Sequence, residues 1–267
     1  MTLIDDRPTT PAGTRTVGVL GTILTVVALV ALTGTALYWL SGGWVTNTET
    51  QHQTYSQPVD RIEVDLAGGD VSVVAGPAGT VAVTRRLTWS ERGKPTVSES
   101  VDGTTLRIQQ PRCADGGDRC GASYELTAPA GVALTVHTAG GSIRTDGIAG
   151  TEILHTSGGD VTANRASGNL DLSTSGGTIS GSDLTATETV AGTSGGDITL
   201  EYASAPDRVV AGTSGGSVEV SVPRGDGYRV QAGATGGTAD VQVAQDPGAS
   251  RSITARTEGG DVRIRYT

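Results

Sequence analysis

Apolar residues alternate with polar ones on both sides of a glycine doublet, and this pattern recurs through the second half of the chain. Its doublets begin at positions 140, 158, 176, 195, 215, 236 and 259, so the spacings are 18, 18, 19, 20, 21 and 23 residues. A short, nearly fixed period is typical of repeat architectures. With one earlier doublet, the set is Gly68 and Gly69, Gly140 and Gly141, Gly158 and Gly159, Gly176 and Gly177, Gly195 and Gly196, Gly215 and Gly216, Gly236 and Gly237, and Gly259 and Gly260.

Alignment of the units on their doublets places similar residues in the same columns. The column two residues before each doublet is Thr138, Thr156, Thr174, Thr193, Thr213, Ala234 and Thr257. The column two residues after it is Ile143, Val161, Ile179, Ile198, Val218, Ala239 and Val262. Spacing by two residues indicates one face of a strand. Each unit is therefore predicted to be a strand, a glycine corner and a second strand, with the glycines supplying backbone angles that a residue with a Cβ resists.

The matching columns predict an all-β fold, a parallel β-solenoid in which equivalent residues of successive units stack in register. Such a single-stranded β-helix rises about 4.8 Å per coil, and we expect it to be right-handed by analogy with crossover connections in parallel sheets. An antiparallel sandwich also has short strands at regular intervals, but it gives no reason for shared columns. A calcium-binding nonapeptide solenoid requires Gly-Gly-x-Gly-x-Asp, whereas here an Asp follows several doublets directly.

An uncharged segment near the amino terminus predicts a membrane anchor. Residues 17–40 contain no charged side chain, and as a helix they would extend about 36 Å, enough to cross a bilayer. Arg7 and Arg15 precede the segment, and the next Lys or Arg is Arg61. The positive-inside rule therefore places residues 1–16 in the cytoplasm and the chain after the segment outside the cell membrane. The alternative, a cleaved signal peptide, usually has a shorter apolar region that ends in small residues.

The remaining chain divides by regularity. Residues 41–58, rich in Thr, Gln and Ser, are expected to form a flexible stalk. Residues 59–129 contain irregular alternating segments and are interpreted as a β cap, and residues 130–267 are the regular coils. We expect the last predicted strand to leave an open edge, with Arg256, Arg263 and Arg265 helping to blunt it.

Composition and charge indicate the kind of core and exclude some classes of binding partner. Aromatic residues make up 3% of the chain and Phe is absent, so a thin core is expected. The formal charge of −9 argues against nucleic acid and against docking on an anionic membrane surface. Cys113 and Cys120 are the only cysteines, and six intervening residues with two glycines allow a disulfide, the default outside the cytoplasm.

The sequence offers little catalytic chemistry. Ser194 and Ser214 lie in Gly-x-Ser-x-Gly matches, but no strand-to-helix turn is predicted there. His137 and His155 share a column in adjacent units, so their Cα atoms should lie about 5 Å apart. They are candidates for binding zinc or copper, but two ligands alone rarely form a metal site. No metal site, no cofactor and no enzymatic activity are therefore predicted, since no nucleophile, base and orienting group converge.

A Gly-Gly-Asp-Val opening coil at residues 68–71, repeated Thr-Ser-Gly-Gly-Asp-Val units and an amino-terminal anchor together resemble a family of bacterial envelope proteins. It is a domain-of-unknown-function family often called putative adhesins, and the resemblance covers residues 59–267. It implies a membrane-anchored β-solenoid on the cell surface and supplies no catalytic residues. We expect a non-enzymatic adhesin or surface binding protein with a glycan or envelope-protein partner. An accessory role in envelope maintenance or stress sensing is the alternative, and a carbohydrate-active β-helix enzyme is less favoured.

Overall fold

The computed structural model describes residues 47–90, 93–113 and 120–267, and this part of the chain is built of strands and connecting turns. The predicted anchor at residues 17–40 and the tail before it lie outside the described residues. Among the residues that the structure describes, no helix is long and apolar enough to cross a membrane. The strands are β1 (Asn47–Tyr55), β2 (Arg61–Leu66), β3 (Val71–Gly76), β4 (Val81–Trp89), β5 (Thr96–Asp102), β6 (Thr105–Arg112), β7 (Cys120–Pro129), β8 (Ala133–Thr138), β9 (Ile143–Asp146), β10 (Glu152–Thr156), β11 (Val161–Asn164), β12 (Leu170–Ser173), β13 (Ile179–Leu184), β14 (Glu188–Thr193), β15 (Ile198–Tyr202), β16 (Arg208–Thr213), β17 (Val218–Val222), β18 (Arg229–Ala234), β19 (Ala239–Val241), β20 (Ser252–Thr257) and β21 (Val262–Tyr266).

The strands form two sheets whose apolar faces enclose one core. Sheet A has the order β1-β4-β7-β3-β9-β11-β13-β15-β17-β21-β19, and sheet B has the order β18-β20-β16-β14-β12-β10-β8-β2-β6-β5. From β8 to β17 each coil contributes one strand to each sheet and successive coils stack in parallel: Val161 pairs with Ile143 on one side and Ile179 on the other. The predicted all-β fold with parallel, in-register coils is confirmed for these strands.

The first end of the stack is closed by antiparallel strands. The coil formed by β2 and β3 lies between the β6–β7 coil and the β8–β9 coil, and on the outer side of the β6–β7 coil β4 and β5 pair antiparallel with β7 and β6. There the Glu99 carboxylate accepts hydrogen bonds from the Tyr55 hydroxyl at 2.6 Å and from Arg85 Nη1 at 2.7 Å. Burial and then the Glu99 contact raise the pKa of the Tyr55 hydroxyl above its ordinary range. This partly buried polar cluster lies at the first end of the core.

The predicted stalk at residues 41–58 is wrong for residues 47–55. These residues form β1, which pairs antiparallel with β4 along its whole length, from Asn47 opposite Trp89 to Tyr55 opposite Val81. The segment contains few apolar residues, so its composition suggests a linker. Its strand conformation comes from a backbone ladder with a partner far along the chain, which composition does not reveal.

The last two coils do not stack in chain order. The β20–β21 coil lies between the β16–β17 coil and the β18–β19 coil, so Val262 pairs with both Val218 and Ala239. The predicted roles of Arg256, Arg263 and Arg265 at an open edge are therefore wrong, because these residues lie on strands that are paired on both sides. Arg265 instead donates to the Glu219 carboxylate on the neighbouring strand at 2.7 Å. At this second end the two sheets end with β18 and β19, and at the first end they end with β5 and β1.

The glycine doublets were predicted to supply unusual backbone angles, but the structure shows a steric reason for them. The second glycine of each regular doublet lies so close to the coil beside it that a Cβ would overlap backbone, as a Cβ on Gly159 would overlap the carbonyl oxygen of Gly141. Among the doublets only Gly69 has a positive φ, of +108°. Close approach of stacked backbones, rather than an unusual backbone angle, therefore excludes side chains at these corners.

A threonine next to each corner bridges adjacent coils. Thr156 donates its hydroxyl to the carbonyl oxygen of Gly141 in the neighbouring coil at 2.8 Å and accepts the N–H of Gly159 in its own coil at 3.4 Å. The same pair of bonds recurs at Thr138, Thr174, Thr193, Thr213 and Thr257. Each hydroxyl satisfies two buried corner groups, which explains why the column is threonine.

Carboxylates and hydroxyls alternate along the column directly after the doublets. In spatial order the column is Ser123, Asp70, Ser142, Asp160, Thr178, Asp197, Ser217, Asp261 and Thr238. Four of these aspartates accept the N–H of the next hydroxyl residue, as Asp160 Oδ1 accepts that of Thr178 at 2.8 Å. The N–H and then the hydroxyl of Thr238 hold the pKa of Asp261 below its ordinary value. The alternation keeps the carboxylates two coils apart. At the two ends of the column it depends on the terminal coils being out of chain order, which places Asp70 between Ser123 and Ser142, and Asp261 between Ser217 and Thr238.

One carboxyl lies inside the core. Glu152 occupies the inner column of sheet B between Leu134 and Leu170 and is fully buried. Neither carboxyl oxygen has a hydrogen-bond partner. Burial raises the pKa of Glu152 to about 7, and the Thr145 hydroxyl on the facing sheet offsets only part of that effect. A buried carboxyl without partners favours the protonated form.

Candidate functional site: a polar groove on sheet A

The outer face of sheet A carries a groove of about 740 Å³ near the closed end of the stack. Strands β7, β3, β9, β11 and β13 contribute its floor, and Thr50 of β1 with Thr84 and Arg86 of β4 contribute its side. The groove depends on the antiparallel extension of the sheet by β1 and β4, because these strands bring side chains from distant parts of the chain beside the parallel coils.

The floor is a row of outward-facing polar side chains from adjacent strands. Register places them in the order Thr84, Glu125, Ser72, Arg144, Thr162 and Ser180. The Ser180 hydroxyl donates to the Thr162 hydroxyl at 3.2 Å. Neighbours in such a row are separated by the strand spacing of about 4.8 Å, so the floor presents a regular series of hydrogen-bonding groups.

Two corner carboxylates border the groove. Asp70 Oδ1 accepts the N–H of Ser142 at 2.9 Å, and Asp160 Oδ1 accepts the N–H of Thr178 and its hydroxyl. The second oxygen of each carboxylate has no hydrogen bond to a described residue. One oxygen of each pair therefore fixes the orientation of the side chain, and the other remains available as an acceptor.

Two guanidinium groups provide the strong donors. Arg86 and Arg144 are both exposed and lie three strands apart in sheet A. Within the described ranges neither makes an ion pair or a side-chain hydrogen bond. Arg carries five N–H donors in a fixed planar geometry, so these two residues can orient a ligand by paired hydrogen bonds.

The arrangement suits a ligand rich in hydroxyl groups. Carboxylates and serine or threonine hydroxyls accept its hydrogen bonds, and the guanidinium groups and hydroxyls donate to it. Tyr124 is the aromatic residue of the lining, and its ring is buried, so it offers no exposed face for stacking. Binding here would depend on hydrogen bonds made in competition with water, which contribute modestly one by one.

The residues singled out in the sequence lie away from this groove. His137 and His155 stack on the outer face of sheet B with ring centroids 5.1 Å apart and planes inclined by 15°. His155 Nε2 lies 3.3 Å from Asp171 Oδ1. Across residues 47–90, 93–113 and 120–267 no group of three or more His, Cys, Asp or Glu side chains could hold a metal ion.

The serines and cysteines of interest also lie at structural positions. Ser194 and Ser214 are exposed at coil corners between two strands, without the helix that a nucleophile elbow requires. Cys113 and Cys120 are joined by a disulfide with Cα atoms 5.6 Å apart, and the residues between them lie outside the described part. Neither pair contributes to the groove.

The charged residues of the groove were not predicted from the sequence. Arg144 stands one position after an inner apolar residue in a regular coil, so its outward direction could have been read from the columns. Glu125 lies near Arg144 because β7 and β9 both pair in parallel with β3, an order that differs from the order in the chain. Arg86 depends on the antiparallel pairing of β4 with β7, which repeat spacing does not encode.

The comparisons with known proteins give a family and several distant folds. A family model described as Toastrack DUF4097 matches residues 53–266. No curated protein is significantly similar to the chain. A solved structure of a putative adhesin from Parabacteroides distasonis ATCC 8503 is 15% identical with a TM-score of 0.45, covering 82% of this chain and 97% of that chain.

Two further solved structures are similarly distant. A putative adhesin from Bacteroides fragilis NCTC 9343 is 13% identical with a TM-score of 0.44, covering 82% of this chain and 97% of that one. A putative lipid binding protein from Parabacteroides distasonis ATCC 8503 is 14% identical with a TM-score of 0.33, covering 83% of this chain and 97% of that one. The match of the family model over residues 53–266 shows that this chain belongs to the Toastrack DUF4097 family, a domain family of unknown function.

Proposed function

We propose that this protein is a non-enzymatic, membrane-anchored binding protein that recognises carbohydrate outside the cell through the groove on sheet A. The single observation that carries the proposal is the lining of the groove. Its exposed donors and acceptors, from Arg86, Arg144, Glu125 and a row of hydroxyls, stand on rigid strands at regular spacing. A rigid, pre-ordered set of polar groups lowers the entropic cost of binding a polyhydroxylated ligand.

The uncharged segment 17–40 supports a cell-membrane location with the solenoid outside. The disulfide between Cys113 and Cys120 is consistent with that compartment, because disulfides persist in oxidising environments.

The groove lining offers no exposed aromatic ring for a sugar to stack on, so we expect a low affinity. Hydrogen bonds between sugar hydroxyls and surface groups replace bonds to water and add about 1 kcal/mol each. We expect weak binding by one copy and useful retention only when several copies act on a repetitive ligand, since linked binding events raise the effective concentration.

An oligosaccharide array probed with the full chain tests the proposal. Arg144→Ala and Arg86→Ala should each weaken binding roughly tenfold, because hydrogen bonds to charged groups are worth about 1.5–3 kcal/mol. Arg61→Ala is the matched control: it removes an exposed arginine from sheet B, away from the groove. Failure to retain any oligosaccharide, or retention unchanged in both groove variants, would contradict the groove as a carbohydrate site.

The alternative is an accessory role in envelope maintenance or stress sensing, in which the partner is another membrane protein. Capture of one membrane protein by the full chain, lost in the Arg144→Ala variant and retained in Arg61→Ala, would favour this alternative over carbohydrate binding. A turnover assay on polysaccharides tests the remaining enzymatic hypothesis, for which the described residues supply no convergent catalytic group.

A further inference from the structure

The two ends of the stack are finished differently. At the first end, antiparallel strands and the partly buried contacts among Tyr55, Arg85 and Glu99 lie over the core. At the second end, within the described part of the chain, no strand pairs with the outer side of β18 or β19 along their lengths. Residues 244–246 bond to Tyr228 just before β18 begins.

The core is incompletely covered at this second end. Val230, Ala232 and Ala234 of β18 are only partly buried, and Ala239 of β19 is exposed. Equivalent positions of the inner coils are closed: Val209 and Ile253 are 0% exposed, and Val218 is 1% exposed. Val230 shows the effect of the missing neighbour, because it is only partly buried although Val209, of the same residue type, is 0% exposed. A further layer of β-structure would bury these side chains.

The backbone at this edge is also available for pairing. The N–H of Arg229 donates to Arg251 on the β20 side, whereas the N–H of Tyr228 points outward to Ala244. Backbone groups of successive residues in a strand point to opposite sides, so the N–H groups of Val230, Ala232 and Ala234 point outward from the edge. Edge strands are commonly blunted by proline or inward-pointing charge, and β18 has neither.

We propose that this open end pairs with the same end of a second copy of the chain, β18 and β19 meeting their counterparts in an antiparallel, two-fold arrangement. A head-to-tail contact would set the open coil against β1 and β5, which are antiparallel additions and do not form a coil of matching cross-section. A two-fold contact needs only one surface, since the same patch serves both copies. The apolar ends of two cores of identical width would then cover each other.

The size of the end predicts a weak contact. Strand β18 has six residues and extends about 20 Å, β19 has three, and the two sheets stand about 10 Å apart, so with side chains each copy would bury at most about 400 Å². The total of about 800 Å² is below the roughly 1,200 Å² typical of stable complexes. A weak contact of this kind becomes effective when many copies are held at one surface.

The contact lies far from the first strand of each copy. Sheet A has eleven strands with β1 at one edge and β19 at the other, so about 48 Å separate the first strand from the open end. A two-fold contact between open ends places the first strands of the two copies at opposite ends of the pair. The contact itself is independent of the groove and of any carbohydrate.

Two variants of the full chain in detergent test the contact by sedimentation. Ala232→Pro removes an outward N–H that the isolated chain does not use, and edge positions tolerate proline. Ala239→Lys places a charge at the exposed start of β19. Each should raise the dimer dissociation constant at least tenfold while thermal unfolding of the monomer changes little. A chain that stays monomeric at every concentration, or a dimer unchanged in both variants, overturns the proposal.

Site-specific cross-linking locates the contact. Gln231→Cys should be joined between copies by a short bismaleimide, whereas Thr199→Cys, on the outer face of sheet A in the middle of the stack, should not. Equal cross-linking at both positions overturns the assigned surface.

Discussion

Thr257 donates its hydroxyl to the carbonyl oxygen of Gly216, 41 residues earlier, at 2.6 Å. From Thr156 to Thr213 the corresponding threonine bonds to the unit directly before it in the chain, as Thr174 bonds to Gly159. Thr257 passes over one whole unit because β20 and β21 lie next to β16 and β17. The skipped unit carries Ala234 in the threonine column, so it lacks the hydroxyl that an inner coil needs.

Loss of the Thr257 hydroxyl should weaken the stack. Thr257→Val keeps the shape but leaves the carbonyl oxygen of Gly216 and the N–H of Gly260 without this partner. We expect a loss of about 1–3 kcal/mol in the free energy of unfolding. Urea denaturation measures it, with Thr254→Val on the outer face of the same strand as the control, which should change stability by less than about 0.5 kcal/mol. Equal effects of the two substitutions would contradict the role of the hydroxyl.

Two glycines only 33 residues apart should respond to alanine in opposite ways. Gly159→Ala places a Cβ against the backbone of Gly141, so a large destabilisation of about 3 kcal/mol or more is expected. Gly192 lies within β14 and has nothing within 4 Å of an added Cβ, so Gly192→Ala should stabilise the fold by about 0.5–1 kcal/mol. The urea denaturation midpoints of the two variants are compared with that of the parent chain, and they should shift in opposite directions. A tolerated Gly159→Ala would mean that the coils are not in close backbone contact.

Glu152 predicts that the fold loses stability between about pH 4.5 and pH 7. In the unfolded chain its carboxyl ionises near its ordinary pKa, whereas burial raises the folded-state pKa to about 7, so the unfolded state releases its proton first. The unfolding free energy therefore falls as pH rises through this window, by about 3 kcal/mol, and this contribution is constant above it.

Two substitutions isolate this contribution. Glu152→Leu restores the residue type of its neighbours Leu134 and Leu170 and should be more stable than the parent chain at pH 8. Glu152→Gln should remove the pH dependence without the gain in apolar packing. Unfolding free energies across this pH range provide the measurement. Parallel pH profiles for the parent and Glu152→Leu would show that another group is responsible.

The alternation of carboxylates and hydroxyls predicts a salt-sensitive defect. Ser217→Asp would place three carboxylates on consecutive coils, between Asp197 and Asp261. The variant should be less stable than Ser217→Asn at neutral pH and low ionic strength, because like charges would lie one strand spacing apart. The difference should shrink in 1 M salt, where the screening length is about 3 Å. A difference independent of salt would point to packing rather than charge.

The sequence was sufficient for the middle of the stack and insufficient for its ends. Columns such as Val161 and Ile179 predicted register correctly because neighbouring units in the chain are also neighbours in space from β8 to β17. The order of the last coils has no counterpart in periodicity. It could have been suspected from Ala234 and from the succession Ser217, Thr238 and Asp261, which breaks the alternation when read in chain order.

The groove illustrates a different limit. Arg144 belongs to a regular coil and its outward direction follows from alternation, whereas Arg86 reaches the groove through the antiparallel pairing of β4 with β7. Thr50 arrives through a further pairing, of β1 with β4, in a segment whose composition suggested a linker. Antiparallel additions to a repeat depend on contacts distant in sequence, so neither spacing nor composition predicted this site.

Because of the position of the β20–β21 coil, the last coils cannot stack in the order in which they are synthesised. A ribosome produces β18 and β19 first, yet their partner strands are the ones made afterwards. Until those strands arrive, direct docking on the β17 coil would set the hydroxyl of Thr238 against that of Ser217, and Ala234 would offer no hydroxyl to Gly216. The outermost coil should therefore be the last to become protected from hydrogen exchange during refolding, although it is not the last to be translated.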